Sequence, residues 1–488
     1  MNPNIILILI DDMGWRDLSC YGSEFYETPI IDSLSTSGLR FTDAYAACPV
    51  CSPTRASLLT GRYPSTIGVT NFIDPSGHGH PKAGRLIEVP YFRELPRTER
   101  TLARSLHDSG YATWHVGKWH LGGRASYPEH HGFDVNVGGS EAGAPYGGGY
   151  FSPWTLPGLT DADVPEGTYL TDYLTDRAVD LIRSAEDSPQ PFFLNMWYYS
   201  VHSPIEAKPE KIEKYRKKAR AMGIDAVDPF VEGGLYPSER QSADRIRRRT
   251  IQSDPAYAAM IESLDENVGR ILQAVRETGK EKDTIVIFTS DNGGLSSAET
   301  SPTCNAPLSE GKGWRYEGGT REPLIVKWPG VVEPGTVTSE PVTSPDLFPT
   351  ILDAAGLPLE PGAHCDGHSF ADLLRGRPWN RPEPLYWHYP HYGNQGDTPG
   401  SSIRDGEWKL LEFFEDGHFE LYNLADDLSE ERDLSEAHPD KVAELAGKLH
   451  AWEERVMARR PVPNPDYVSW KDREPCGHYA RVDNEEMT

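Results

Sequence analysis

Three short runs of consecutive apolar residues recur along the chain, at 4–10, 191–199 and 284–289. Continuous apolar strands separated by helical segments are typical of a mostly parallel sheet covered by helices on both faces. Ligands of such sheets bind beyond the carboxyl ends of the strands. Polar residues follow each run at once, and we expect them to meet at that edge. They are Asp11 with Asp12, Ser200 to His202, and Ser290 to Asn292.

Two helices are predicted with some detail. Residues 257–278 carry apolar side chains at helical spacing on one face, which indicates an amphipathic helix between two of the strands. A shorter helix is predicted with Ser52 as its N-cap, Pro53 at the first position and Gly61 after its end. Cys51 then lies at a helix N-terminus, where free N–H groups and the helix dipole favour an anion.

The remaining chain divides into loops, an insertion and a second subdomain. Residues 74–100 and 136–168, rich in glycine, proline and aromatic residues, are predicted to be long loops. The charged residues 208–250 are predicted to form a solvated helical excursion. Strands at 385–389, 408–414 and 419–423 and a helix at 439–458 are predicted after residue 375.

These patterns predict an α/β fold with a large, mostly parallel sheet sandwiched by helices and a smaller C-terminal antiparallel α+β subdomain. We expect a catalytic domain over residues 1–375 and the C-terminal subdomain over residues 376–488. No internal repeat is visible.

Charge and hydropathy narrow the possible partners. The 488 residues include 48 Lys and Arg against 74 Asp and Glu, for a formal net charge of −26. A field of this sign repels phosphate backbones, so nucleic acid is not an expected partner, although a local basic pocket can still bind a small anion. No apolar stretch is long enough for a membrane span. If Met1 is native, we expect a cytoplasmic protein; otherwise the protein is periplasmic or secreted and its signal peptide has been removed.

Six cysteines are too few and too scattered for a disulfide scaffold. Cys48 and Cys51 form a C-x-x-C pair, which leaves open a redox function. That hypothesis is disfavoured because the pair does not lie early in a small βαβ domain.

Residues 51–55, Cys-Ser-Pro-Thr-Arg, match the C-x-P-x-R signature of the type I sulfatases. Residues 110–122 resemble the second signature of this family, and residues 311–323 resemble the third. The resemblance implies an alkaline phosphatase-like fold. It also implies that a formylglycine-generating enzyme oxidises Cys51 to formylglycine.

Four side chains at two strand ends offer hard oxygen ligands: Asp11, Asp12, Asp291 and Asn292. Oxygen ligands select calcium or magnesium over zinc. The family places its metal ligands at the same four positions and adds the residue at position 51. We expect calcium, with magnesium as the less favoured ion. The alternative is that these side chains only cap the helices that follow the strands.

The resemblance also assigns catalytic roles. It implies that Arg55, Lys118, His120 and Lys312 surround the sulfate group. It further implies that His202 donates a proton to the departing alcohol, and that His120 polarises or deprotonates the formylglycine hydrate.

The expected function is hydrolysis of a sulfate ester on a carbohydrate, leaning to an exo-acting enzyme on galactose or N-acetylgalactosamine sugars. Aromatic residues at 146–154 and 387–392 are expected to form the pocket rim, because aromatic rings stack on sugars. Two alternatives stay open. One is a phosphonate or phosphate diester hydrolase of the same superfamily, and the other is an inactive binder of sulfated glycans. The oligomeric state and the sulfate position are not predicted.

Overall fold

The largest element of the computed structural model is a sheet of nine strands. The structure describes residues 2–74, 84–160, 163–241, 244–359 and 365–468. The strands in these ranges are β1 (Asn4–Ile10), β2 (Leu39–Tyr45), β3 (Leu86–Ile87), β4 (Ala112–Gly117), β5 (Val135–Val137), β6 (Phe192–Trp197), β7 (Phe230–Leu235), β8 (Arg245–Arg249), β9 (Thr284–Ser290), β10 (Arg321–Lys327), β11 (Thr336–Thr338), β12 (Val342–Thr343), β13 (Leu385–Tyr389), β14 (Gly400–Asp405), β15 (Trp408–Phe413), β16 (Phe419–Asn423) and β17 (Val462–Pro463).

The helices lie mainly on the two faces of this sheet and beside the C-terminal strands. In the same ranges they are α1 (Pro29–Thr36), α2 (Cys51–Thr60), α3 (Pro64–Ile67), α4 (Leu102–Asp108), α5 (Leu170–Ser184), α6 (Pro209–Met222), α7 (Pro255–Glu277), α8 (Glu317–Thr320), α9 (Leu347–Ala354), α10 (Ala371–Leu374) and α11 (Pro439–Arg455). None of these helices is both long enough and apolar enough to cross a bilayer.

The strand order of the large sheet is β11-β2-β10-β9-β1-β6-β4-β5, with β12 also paired to β2. All pairs are parallel except those of β10, which runs antiparallel to β9 and β2. The predicted mostly parallel sheet is confirmed, and the three predicted apolar runs form its adjacent central strands β6, β1 and β9. Their carboxyl ends therefore lie side by side.

Both faces of the sheet are covered, as the continuous apolar strands predict. In β1, Ile6 and Ile8 pack in a core with residues of α1, α5, α6 and α7. Leu7 and Leu9 point to the opposite face and pack with residues of α2, α4 and α9. This alternation of successive side chains explains why every residue of β1 is buried.

The C-terminal strands β13 to β16 form a separate antiparallel sheet, against which α11 packs. Trp452 of α11 stacks on Tyr386 of β13 with ring centroids 4.8 Å apart. The predicted antiparallel α+β architecture of the C-terminal subdomain is confirmed. The proposed boundary at residue 375 stays a prediction, and residues 469–488 lie outside the described residues.

The charged insertion at 208–250 differs from its prediction. It contains the expected helix α6, but the part after Ala226 forms the antiparallel hairpin β7–β8. Two consecutive glycines, Gly233 and Gly234, disfavour a helix there, and Ile246 packs beside Tyr236 and Trp314.

Candidate active site

The three polar segments that follow β1, β6 and β9 meet at the carboxyl edge of the sheet, as predicted. The backbone N–H of Asp11 donates to the carbonyl oxygen of Ser200 at 3.0 Å. The backbone N–H of Asp12 donates to Oδ1 of Asp291 at 3.2 Å. Asn292 donates from Nδ2 to Oδ1 of Asp12 at 2.8 Å. The predicted metal ligands therefore form one cluster, although up to 280 residues separate them.

Each carboxylate of this cluster is paired with a cation that the sequence also singled out. Lys118 donates from Nζ to both oxygens of Asp11, at 2.8 and 2.7 Å. Arg55 pairs with Asp291 at 2.7 Å. The third pair joins Lys312 and Asp12 at 2.7 Å. All six side chains are buried, and buried charges persist where they are paired and hydrogen-bonded.

Burial and neighbouring charges shift the pKa values of Asp11 and Asp12 in opposite directions. Burial raises the pKa of Asp11 well above its usual value, although Lys118 opposes this shift. Burial also acts against ionisation of Asp12, but Lys312 and His202 outweigh it and hold the pKa of Asp12 below its usual range.

The residues present fit a hard divalent cation. Oδ1 of Asn292 is buried and has no hydrogen-bond partner among the described residues. Cys51 Sγ and one oxygen each of Asp11 and Asp291 lie within 4.8 Å of one another. An unsatisfied amide oxygen is costly in a buried site unless it has a partner, and a cation provides one. Carboxylate and amide oxygens suit calcium or magnesium.

Cys51 lies at the N-terminus of α2, as predicted, and Gly61 ends this helix with φ +69°. The predicted cap is wrong by two residues, because Val50 occupies the N-cap position. The hydroxyl of Ser52 instead donates to the carbonyl oxygen of His120 at 2.9 Å and accepts from the N–H of Ile73 at 3.0 Å. These tertiary contacts join α2 to the loop that carries His120.

The imidazole of His120 is neutral and has one free acceptor. Its Nε2 lies 2.7 Å from the carbonyl oxygen of Ile73, so Nε2 carries the proton and donates it. Nδ1 then holds a lone pair, and it has no hydrogen-bond partner among the described residues. Burial, with Lys118 and Arg55, lowers the pKa of His120 well below its usual value. His120 thus keeps one acceptor atom that no described residue occupies.

His202 and Lys312 form a hydrogen-bonded pair. Lys312 Nζ lies 3.0 Å from Nε2 of His202. Because a lysine ammonium only donates, Nε2 accepts, and the imidazole proton lies on Nδ1, 2.9 Å from the carbonyl oxygen of Ser203. Burial and Lys312 lower the pKa of His202 to about 4. The proton between the two nitrogens therefore resides on Lys312 at neutral pH.

A pocket of about 290 Å³ opens beside Cys51. Its lining residues are Val50, Cys51, Phe72, Ile73, Asp74, His120, Gly143, Tyr146, His202, Glu299, Lys312, Asn394 and Gln395. Four of the predicted catalytic residues contribute to the pocket wall. The other two, Arg55 and Lys118, are fully buried among the carboxylates.

The predicted rim is only partly correct. Tyr146 lines the pocket, whereas Trp154 is buried in the core. The prediction for 387–392 is wrong: Trp387 lies in the buried strand β13 and donates to the carbonyl oxygen of Ala46. The loop that follows this strand supplies Gln395 to the pocket instead.

The fold and this site together define a hydrolase of the alkaline phosphatase-like superfamily. The sulfatase family model matches residues 3–357, and the model described as N-sulphoglucosamine sulphohydrolase, C-terminal, matches residues 311–457. The chain therefore belongs to the sulfatase family, and the protein is a sulfuric ester hydrolase.

Individual relatives agree with this assignment. A sulfatase of Formosa agariphila is 32% identical over 92% of this chain and 88% of its own length. The N-acetylgalactosamine-6-sulfatase of Rattus norvegicus is 32% identical over 78% of this chain and 67% of its own length. A solved structure of Ps i-CgsB in complex with k-i-k-neocarrahexaose superposes with a TM-score of 0.73, 28% identity and 93% coverage of both chains.

Proposed function

We propose that the protein removes sulfate from a sulfated carbohydrate, acting on terminal galactose or N-acetylgalactosamine sugars. The single observation that carries this proposal is the placement of Cys51: it lies at the N-terminus of α2, in the pocket wall with His120, His202 and Lys312. The N-acetylgalactosamine-6-sulfatase relative and the carrahexaose complex support the sugar class.

We propose further that Cys51 is converted to formylglycine by a formylglycine-generating enzyme. Burial raises the pKa of the Cys51 thiol, so the unmodified residue is a protonated thiol at neutral pH and a poor nucleophile. The hydrated aldehyde would supply two hydroxyl groups at position 51, one as the nucleophile toward sulfur and one that allows the release of sulfate. The N-terminus of α2 stabilises the negative charge of a sulfate group bound beside position 51.

Asp11, Asp12, Asp291, Asn292 and the residue at position 51 would hold a calcium ion in this proposal. The ion supplies electrostatic stabilisation of the charge on the sulfuryl oxygens. The unpartnered Oδ1 of Asn292 supports an oxygen-ligated cation at this position.

The remaining side chains bind sulfate and move protons. Lys312 faces the pocket and provides a cation for the sulfuryl oxygens. The pair formed by Lys312 and His202 supplies the proton that leaves with the alcohol. His120 accepts a proton at Nδ1 from the group at position 51. Arg55 and Lys118 orient Asp291 and Asp11.

The test is sulfate release by protein co-expressed with a formylglycine-generating enzyme, with conversion of Cys51 verified by mass spectrometry. The panel contains positional sulfates of galactose and N-acetylgalactosamine, a sulfated oligosaccharide, an aryl sulfate, a phosphate diester and a phosphonate ester. We expect rapid release from a sulfated sugar, loss of activity in Cys51→Ala, and retained activity in the neighbouring variant Cys48→Ala.

Other outcomes contradict parts of the proposal. Turnover of the diester or phosphonate alone assigns the alternative hydrolase activity. Binding of a sulfated sugar by fully converted protein without release indicates an inactive binder. Loss of activity in Cys48→Ala, with normal conversion of Cys51, supports the redox function that the pair Cys48 and Cys51 left open.

A further inference from the structure

A carboxylate lies in the wall of a pocket whose substrate is an anion. Glu299 lines the pocket together with Cys51 and Lys312, and its side chain is exposed. Its Oε2 accepts from Ser203 Oγ at 3.2 Å, and its Oε1 lies 3.4 Å from Nε2 of Gln395. These partners are neutral, so Glu299 carries its charge into the pocket without an ion pair among the described residues.

The loop that carries Glu299 holds a backbone conformation that L-residues rarely adopt. Ala298, Glu299 and Ser301 have φ values of +60°, +47° and +41°. Arg249 donates from Nε to the carbonyl oxygen of Ser301 at 2.6 Å, and Ser301 Oγ donates to that of Ala298 at 2.7 Å. Such strained residues persist where surrounding contacts hold them, and they cluster at ligand sites.

Gln395 is fixed beside Glu299. It is buried, and a Cβ on Gly313 would lie 2.1 Å from its Oε1, so only glycine at 313 leaves room for the amide. Gly313 directly follows Lys312. The pocket wall therefore combines positive charge, from Lys312 and the N-terminus of α2, with a carboxylate and an amide, from Glu299 and Gln395.

These groups act differently on the two parts of a sulfated sugar. Lys312 attracts a sulfate group, whereas the carboxylate of Glu299 repels it. A carboxylate accepts strong hydrogen bonds from hydroxyl groups, whereas a second sulfate or a carboxyl group on the same sugar meets a like charge at short range. Specificity of this kind needs a repulsive element as well as an attractive one.

We propose that Glu299, with Gln395, is the specificity-determining element that binds free hydroxyl groups of the sulfated sugar and rejects a second anionic group on it. This inference rests on the proposed function and adds a substrate class, the singly charged sulfated sugar.

The experiment compares two substrates in the converted enzyme: the monosulfated sugar that the wild type hydrolyses fastest, and the same sugar with a second sulfate. The variants are Glu299→Gln, Glu299→Ala and Glu299→Lys. We expect the ratio of kcat/KM for the disulfate to kcat/KM for the monosulfate to rise about tenfold in Glu299→Gln and further in Glu299→Lys. Glu299→Ala should lose more activity on the monosulfate than Glu299→Gln, because glutamine keeps an acceptor.

The matched control is Glu232→Gln, which removes the same charge from the exposed strand β7 outside the pocket. Its ratio should equal that of the wild type. An unchanged ratio in Glu299→Gln and Glu299→Lys, with normal wild-type sulfate release, contradicts this inference alone. Absence of sulfate release by the wild type from every ester contradicts the proposed function and this inference with it.

Discussion

At the scale of single residues, the shared proton of Lys312 and His202 gives the sharpest prediction. A proton delivered to the leaving oxygen matters most when the alcohol is a poor leaving group. His202→Ala should therefore lower kcat/KM by roughly 10²- to 10⁴-fold for a sugar or alkyl sulfate, and much less for 4-nitrophenyl sulfate. Lys312→Met should lower kcat/KM for both substrates, because Lys312 also provides a cation for the sulfuryl oxygens, and the double variant should lose little more than Lys312→Met alone.

The measurement is the slope of log kcat/KM against the pKa of the leaving group, over a series of aryl and alkyl sulfates. His107→Ala and Lys282→Met serve as controls, since both side chains are exposed and outside the pocket. A slope that stays at the wild-type value in both active-site variants excludes the pair as the proton source. A steeper slope in Lys312→Met alone assigns the proton to the lysine.

The sequence predicts a residue's place in the site where that residue follows a buried strand or belongs to a recognisable motif. Asp11, Asp291 and His202 meet for this reason. Glu299 and Gln395 belong to no such pattern, because irregular loops bring them to the pocket. The hydrogen bond between Lys312 and His202 likewise depends on tertiary contacts that a chain pattern does not encode.

At the scale of elements, Glu453 joins helix α11 to the C-terminal sheet. It accepts from Ser401 of β14 and from Arg460, and His388 of β13 lies 3.4 Å away. These contacts outweigh its burial and lower its pKa to about 2. A carboxyl whose pKa is lowered on folding adds stability above its unfolded pKa, near 4.5, and loses that contribution as the pH falls toward 2.

Glu453→Gln should thus reduce the free energy of unfolding by up to about 3 kcal/mol at pH 7, and the deficit should shrink between pH 5 and pH 3. Urea unfolding followed by tryptophan fluorescence measures it, since Trp452 stacks at this junction. Glu454→Gln, at the exposed neighbouring position, is the control and should match the wild type at each pH. A deficit that does not change with pH attributes the loss to packing instead of charge.

The structure confirms the apolar elements that the sequence analysis names, whereas some elements form only through contacts with their neighbours. Helix α7 and strands β1, β6 and β9 carry their own signal. Strand β14, with the sequence Gly-Ser-Ser-Ile-Arg-Asp, has one large apolar residue and forms because it pairs with β13 and β15 on both sides. The sequence does not predict the hairpin β7–β8, because its arginines pack through their guanidinium groups on an aromatic ring, as when Arg247 lies over the ring of Phe230.

At the scale of the whole molecule, the central sheet gathers ligands that lie far apart in the chain, so a bound cation should stabilise the entire catalytic fold. After treatment with a chelator, added Ca²⁺ should raise Tm, because a ligand that binds only the folded state adds about 4 kcal/mol at a thousandfold excess over Kd. Mg²⁺ should give a smaller rise in Tm, since the side-chain oxygens of the predicted metal ligands suit Ca²⁺, which is larger and less strictly octahedral.

The measured quantity is the rise in Tm when Ca²⁺ is added to each variant. This rise reports the loss of a calcium ligand, whereas Tm without calcium also reports other effects of the substitution. Asp291→Asn leaves Arg55 without its full ion pair and lowers Tm in the absence of metal, but it should also reduce the calcium increment by half or more. Asp283→Asn makes the same change just before the opposite end of β9, where the side chain is exposed, and should keep the full increment. Equal increments in both variants would remove Asp291 from the ligand set.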